Sequence, residues 1–443
     1  MNLQPGRASR GKRRHRKSNG TRDAILATAA RQFCEKGYAR TTLKDIAAAA
    51  GMEAGSLYYH FASKEDLLDD VFDLGCRQVI DVVSSAYDEH EARGAEFREI
   101  FSAMVYAHLE QVLGGSEFTA AIMRNYSMLS PEAQVRHRRV FEIYGDIWTA
   151  AFSNAQKKRE IRSDVNVLTL QQLIVGALNW TTEWFDSDRF SVQEFSEMTV
   201  ALLLDGILNH SHKWNGREVE GIMVEPMSPK VAGRSKAAQT RLHILLSTTR
   251  ALRKKGYDGV TLRHIAEVAG IEAGSIYYHF SSKEEIIDDV LSRGLNEIVE
   301  GVTYILENEN SYSDNASRLA SAIRAHMLYL FIRNDFVAMN IRIYGQLPED
   351  VREKHRPIRQ QYTNSWSRAL VRAQENGEVR RDLDVLQMRQ LMLGALNWSA
   401  NWFRPNWDKE EVSKSLDDLI AKVLTVFLDG VALRDQNKDL SSS

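Results

Sequence analysis

The sequence predicts an all-α protein made of two like units, each a small helical head followed by a longer helical body. Three observations carry this. Apolar residues recur at helical spacing, as in Ile25, Ala29 and Phe33. Pro and Gly are scarce, 7 and 26 among 443 residues, so turn and strand-edge chemistry is thin. And the chain is written twice: residues 51–66 read GMEAGSLYYHFASKED and residues 270–285 read GIEAGSIYYHFSSKEE, identical at 12 of 16 positions.

The similarity continues downstream. GALNW at 176–180 returns at 394–398, Trp184-Phe185 as Trp402-Phe403, and Tyr126 as Tyr344, all at an offset of 218, whereas Leu204-Asp205-Gly206 returns as Leu428-Asp429-Gly430 at 224. The change of offset places an insertion between Phe185 and Leu204, a loop-like stretch where insertions are tolerated. These markers divide the chain into a basic tail (1–20), a first head (21–66), a first body (67–214), a linker (215–235), a second head (236–285) and a second body (286–435). The linker holds Gly216, Gly221, Pro226, Pro229 and Gly233, which break helices. The tail is rich in Arg and Lys and has no acid, a composition expected to be disordered in isolation. It reads either as a solvated end or as an arm that grips DNA.

Each head reads as four helices in order. In helix one, Ile25, Ala29 and Phe33 form a stripe with Leu26 and Ala30 beside it, and Ile244, Thr248 and Leu252 take the same places in the second copy. Gly37 and Gly256 suit its C-cap. Thr42 and Thr261 suit the N-cap of a short second helix, which Gly51 and Gly270 end. A third helix follows at 54–61 and 273–280, and Ser63 and Ser282 open a long fourth. Two short helices joined by a tight Gly-containing turn make a helix-turn-helix, whose second member enters the DNA major groove N-terminus first. Ala54-Gly55-Ser56 and Ala273-Gly274-Ser275 are small enough for close approach, and Leu57, Ile276, Phe61 and Phe280 are expected to face inward. The expected DNA contacts are Thr42, Lys44, Ser56, Tyr58, Tyr59, His60 and Lys64 in the first head. In the second they are Thr261, Arg263, Ser275, Tyr277, Tyr278, His279 and Lys283. These are hydroxyl, imidazole and cationic donors to phosphate. The competing reading of Tyr58-Tyr59-His60-Phe61 is a helix that packs its aromatics into its own core.

Composition narrows the function classes. Lys and Arg number 57 against 59 Asp and Glu, a net charge of −2, so DNA binding must rest on local patches rather than bulk charge. Two cysteines, Cys34 and Cys76, exclude a disulfide scaffold and a Cys-rich zinc site and fit a reduced cytoplasmic setting. Cys34, beside the helix-one stripe, reads as buried and inert. No apolar run is long enough to span a membrane, and the basic start lacks the apolar segment of a secretion signal. No Gly-rich phosphate loop, His-Glu-x-x-His or Gly-x-Ser-x-Gly elbow occurs, and His210 and His212 point to different sides of a helix. Enzyme chemistry, a metal and a cofactor are therefore not expected.

The bodies carry weaker signals. From 167 to 185, one stripe holds Leu173, Ala177, Trp180 and Trp184 and another Ile174, Leu178, Thr181 and Phe185, so this helix needs cover on more than one side. The next, 192–210, presents Phe195, Met198, Leu202 and Ile207. Two such helices from each copy make a four-helix bundle. The units are thus expected to pair within the chain, with a homodimer of whole chains as the alternative. Asn179 and Asn397 need a partner there, either a backbone group or a ligand. His137 and His355, among Arg136, Arg138, Arg139, Lys354 and Arg356, read as a solvated helix face.

At the heads the chain resembles the TetR family of transcriptional regulators. The resemblance is carried by Thr42-Leu43-Lys44-Asp45-Ile46-Ala47, Ala50-Gly51, Gly55-Ser56-Leu57-Tyr58-Tyr59-His60-Phe61 and Ser63-Lys64-Glu65, and by the same pattern over 261–284. It departs from the family at Glu53 and Glu272, where Ser is common before the reading helix. The resemblance implies two TetR-like units. Each has a three-helix DNA-binding head and a ligand-binding body whose last helices dimerise, and acts as a repressor of transcription on double-stranded operator DNA. Segments 176–185 and 394–403 are similar to the late-helix motif of members that sense acyl-CoA thioesters. That implies an acyl-CoA or a related hydrophobic catabolic intermediate as effector. The candidate contacts are Arg124, Tyr126, Asn179, Trp180 and Trp184, with Arg342, Tyr344, Asn397, Trp398 and Trp402; a guanidinium suits the phosphates of CoA. The plainer account is a surface ion pair and a packed tyrosine for the Arg and Tyr pairs, and core for the tryptophans. The alternative function is an effector-independent, architectural DNA-binding protein.

Overall fold

The computed structural model describes residues 8–38, 40–114, 118, 121, 122, 125–206, 212, 214, 219, 235–308, 312–333, 335–403 and 409–430. In the first unit the helices are α1 (Ala8–Lys36), α2 (Leu43–Ala49), α3 (Ala54–His60), α4 (Lys64–Ala92), α5 (Phe97–Leu113), α6 (Pro131–Lys158), α7 (Val167–Trp180) and α8 (Val192–Asp205). The second unit repeats them as α9 (Lys236–Gly259), α10 (Leu262–Ala269), α11 (Ala273–Ile276), α12 (Lys283–Glu307) and α13 (Asn315–Leu328), then α14 (Asp335–Arg342), α15 (Glu349–Glu375), α16 (Val385–Trp402) and α17 (Lys409–Leu424). Wide π-helical turns, Tyr329–Arg333 and Thr425–Asp429, continue α13 and α17. No β-strand occurs among the described residues.

The helix boundaries follow side-chain chemistry. The Thr42 hydroxyl accepts from Asp45 N, and the Asp45 carboxylate accepts from Thr42 N at 2.9 Å, so two orphan donors at the start of α2 are satisfied together. Thr261 caps α10 in the same way, but His264 stands where Asp45 does, so only half of that exchange forms. Ser63 and Ser282 cap α4 and α12. Gly51 (φ +66°) and Gly270 (φ +64°) make the turn between the paired short helices, a left-handed conformation that side chains resist. The tail departs from expectation: α1 begins at Ala8, so most of the basic segment prolongs the helix. Lys and Arg are good helix formers, and no Pro follows Pro5 in this stretch. The expected linker lies outside the described residues except Val219 and Ser235.

Each head has its own core. In the first, Ile25, Ala29 and Phe33 of α1 meet Leu57, Phe61 and Val71, and in the second Ile244 and Leu252 meet Ile276, Phe280 and Val290. The two bodies share one core instead. Its centre is the crossing of α7 and α16. Gly176 faces the Trp398 indole and Gly394 faces the Trp180 indole, so closely that a Cβ on Gly176 would lie 2.3 Å, and one on Gly394 2.8 Å, from the facing ring. The ends are tied reciprocally too. Arg162 Nη1 donates to Gly430 O at 3.1 Å, and its counterpart Arg380 donates to Gly206 O at 3.2 Å. Residue i meeting j while j's counterpart meets i's is the mark of a two-fold interface, here formed inside one chain. The helix expected over 192–210 stops at Asp205, where Gly206 turns away with φ +71°.

Candidate DNA-binding and effector sites

The short helix α3, and α11 with the turn that follows it, carry exposed side chains. Tyr59 is 86% exposed and Tyr278 90%, Tyr58 and Tyr277 are exposed beside them, and Ser56 is exposed and Ser275 half-exposed. Lys44 on α2 and Arg263 on α10 are exposed, and His60 and His279 are half-buried. A Cβ added at Gly55 or Gly274 would meet nothing within 4 Å, so the first turn of each helix is open to a close partner. The core-packing reading holds only for Phe61 and Phe280, both buried. Each is held from α1 or α9 by a guanidinium: Arg22 lies 5.3 Å from the Phe61 ring and pairs with Asp70, while Arg241 lies 3.9 Å from the Phe280 ring and pairs with Asp289 at 2.9 Å.

Lys64 and Lys283 are engaged within the fold, not presented beside these helices. Lys64 Nζ donates to Tyr38 O at 2.9 Å and Thr41 O at 3.1 Å and lies over the Tyr38 ring, and burial pushes its pKa down against the pull of Glu65 and Asp258. Lys283 Nζ donates to Tyr257 O at 3.3 Å. Both lysines tie the start of the fourth helix to the end of the first. The units approach each other across a gap of about 440 Å³, lined by Lys36, Tyr38 and Arg40 of the first head, Asp258 of the second head, and Gln346 and Arg352 of the second body. Cys34 borders this gap and is only half-buried, contrary to expectation.

In the bodies the expected effector residues scatter. Arg124 lies outside the described residues. Asn179, Trp180, Arg342 and Trp398 line a crevice of about 100 Å³ at the junction of the units, where the two tryptophans pack on the facing glycines. Trp184 packs edge-on to Phe195, and Trp402 to Phe403. The Tyr126 hydroxyl donates to Gln134 O at 3.0 Å, and Tyr344 lies beneath the Arg359 guanidinium at 4.1 Å. The solvated-face reading of His137 and His355 is wrong: both are buried. His137 Nε2 meets Asp69 Oδ1 at 2.6 Å, clamping α6 to α4, and His355 sits 3.1 Å from Asp288, at ion-pair distance but out of hydrogen-bond alignment. The neighbouring arginines and lysines hid a periodicity that turns these two inward.

Sequence reasoning missed a buried polar group in each body. His326 Nε2 lies 3.1 Å from Asn397 Oδ1, an acceptor, so Nε2 carries the proton and Nδ1 accepts from the Tyr362 hydroxyl at 2.7 Å. In the first unit His108 Nδ1 meets the Tyr144 hydroxyl at 2.5 Å, but Nε2 is buried without a partner. Burial holds the His108 imidazole down to about 3, and His326 down to about 4, the latter against a raising hydrogen bond from Asn397. Both are therefore neutral when folded and gain a proton on unfolding below the ordinary value near 6.5. Their stabilising contribution is complete above that pH and declines as pH falls, by roughly 1.4 kcal/mol per pH unit for each histidine. Urea melts at pH 7, 6 and 5 should show a steeper decline for the parent than for His108→Gln/His326→Gln; parallel declines would refute it.

Comparison with known proteins gives the family. The model for bacterial regulatory proteins of the tetR family matches residues 25–71 and 244–290, and the tetracyclin repressor-like C-terminal domain matches 94–207 and 312–424. The HTH-type transcriptional repressor KstR2 of Rhodococcus jostii is 27% identical over 193 residues, covering 43% of this chain and 92% of its own. The fatty acid metabolism regulator protein of Bacillus subtilis is 23% identical over 187 residues, covering 42% and 94%. Among solved structures, AibR in complex with isovaleryl coenzyme A and operator DNA is 28% identical with a TM-score of 0.38, covering 41% of this chain and 96% of that one. Each relative spans one of the two copies. The chain belongs to the TetR family of bacterial regulatory proteins and carries the family's head and body twice.

Proposed function

We propose that the protein is a ligand-released transcriptional repressor that brings both reading heads of its operator complex in one polypeptide. The observation that carries this reading is the pairing of two exposed helices, α3 and α11, through a two-fold junction internal to the chain. A regulator with two near-identical heads reads an imperfect palindrome. Lys44 and Arg263 differ, as do Asp45 and His264, so the operator halves are unequal. Tyr58, Tyr59, Tyr277 and Tyr278 supply phosphate donors, and Lys44 and Arg263 supply charge.

The effector we infer is an acyl-CoA thioester or a related hydrophobic intermediate. Supporting it are the segments at 176–185 and 394–403 and the similarity to a fatty acid metabolism regulator. Helices α4 and α12 run from head into body, and the His137–Asp69 clamp is the kind of link through which a body rearrangement would reach a head. Release then requires only that the effector prefer the state whose heads are wrongly spaced for DNA.

The test is mass measurement of the full chain on duplex DNA from upstream of its own coding region, with and without added acyl-CoA thioesters. One chain per duplex, released by a thioester, is expected. Two chains per duplex would overturn the one-chain operator complex, and binding indifferent to every thioester would favour the architectural alternative.

A further inference from the structure

The two bodies differ in charge at several matched positions, and one of these lies beside aromatic residues kept in both copies. On α15, Arg359, Tyr362 and Trp366 lie along one face by their spacing, and the matching residues of α6 are Phe141, Tyr144 and Trp148. The tyrosines and tryptophans are kept, but an arginine replaces a phenylalanine. Its neighbour changes with it: Asn340 of α14 stands where the first unit has Ile122. The first unit packs Phe141 on Tyr126 with ring centres 5.6 Å apart. In the second, the Arg359 guanidinium lies 4.1 Å above the Tyr344 ring and reaches Asn340 only through long contacts, 3.4 Å to the carbonyl and 3.3 Å to the side-chain oxygen.

Arg359 is half-buried, with little of the company that a shielded cation normally has. No carboxylate among the described residues pairs with it, and its Nε is buried without a hydrogen-bond partner. Burial lowers its pKa to about 10, with only Tyr344 opposing. A half-buried charge with only neutral groups of the protein around it is open to completion by an anion. One helical turn away, Tyr362 begins the neutral hydrogen-bond chain to His326 and Asn397. The π-helical turn Tyr329–Arg333, which starts three residues after His326, precedes α14, the helix that carries Asn340; such turns are frequent at functional sites.

We propose that the second body alone contains an oxyanion subsite, centred on Arg359 and flanked by Asn340, Tyr344 and Tyr362, for the carboxylate or phosphate group of an otherwise apolar ligand. The first body, with Phe141 and Ile122 in those places, accepts no charged group there. The protein is then an unequal sensor, in which one charged ligand per chain acts on both heads through the shared core. This rests on the bodies being effector-binding domains, as proposed above.

Calorimetric titration of the full chain tests it with three probes of one tail length: octanoate, octyl phosphate and octanol. One anion per chain is expected, with whichever of octanoate and octyl phosphate binds more tightly naming the group. Arg359→Met should weaken that anion at least tenfold and leave octanol unchanged, Arg359→Lys should retain most of the binding, and Phe141→Met should have no effect on it. Two equivalent anions per chain, equal binding by parent and Arg359→Met, or no binding of either anion to the parent would each overturn the subsite. If Arg359→Met does not fold, Arg359→Gln takes its place in the comparison with Arg359→Lys, and equal anion affinity in those two variants overturns the proposal. Failure of the subsite is separable from failure of the effector reading, which is decided by thioester release of the DNA.

Discussion

A Gly55→Glu chain should bind its operator about 10²–10⁴-fold more weakly than the parent while melting at the same temperature. The two halves of this expectation have different causes. Gly55 sits in the first turn of α3, is exposed, and would place its new Cβ in open space. Glu is a better helix former than Gly, and a carboxylate at a helix N-terminus is favoured by the helix dipole. Folding has no reason to suffer. On DNA the same carboxylate projects toward phosphates and blocks the close approach that Gly and Ser allow. One head is then silent, and two-point attachment becomes one-point attachment; linkage of two binding modules contributes factors of this size. Gly274→Glu should do the same from the second head, and the double variant should lose specific binding. Fluorescence anisotropy at one fixed salt concentration, beside thermal melts, reads both quantities. An unaltered affinity in Gly55→Glu would mean that the first head does not engage DNA.

The heads were legible because their chemistry is local and repeated. Thr42, Gly51 and Ser63 mark helix ends by side-chain capping or positive φ, and a sequence displays those needs directly. What could not be read was which groups meet across long separations. Lys64 is a basic residue beside a recognition helix, and its actual partners, two carbonyls more than twenty residues upstream, leave no mark nearby. His137 looked solvated because its neighbours are arginines, yet Asp69, 68 residues away, draws it inside. Trp180 and Trp398 were candidates for a ligand cavity because indoles suit ligands. Their assignment to the junction depends on Gly394 and Gly176 lying opposite, a fact about two helices rather than one. The repeat also misled in one respect. Attention to identical positions passed over Phe141 and Arg359, where the copies differ and the second gains a half-buried charge.

The junction itself yields the other large effect. Gly176→Leu should lower stability by about 1–3 kcal/mol or somewhat more, the range for overpacking a core, because Trp398 Cδ1 already lies 2.3 Å from where a Cβ would be. The cause is assignable by a double-mutant cycle. Trp398→Ala alone also destabilises, by removing an indole from the crossing of α7 and α16. If the two residues act on each other as the geometry requires, Gly176→Leu/Trp398→Ala should be more stable than the sum of the single losses by at least about 1 kcal/mol. Strict additivity would refute the contact. The mirror pair, Gly394 with Trp180, should behave alike, since the crossing is two-fold. A further consequence separates this protein from an ordinary dimer. When two separate chains lose their interface they dissociate, and their melting temperature depends on concentration. Here both partners belong to one polypeptide, so Gly176→Leu should melt at the same reduced temperature at any protein concentration and keep the parent's mass in solution. It should also bind its operator more weakly, because heads no longer braced at one spacing must be ordered again on the DNA.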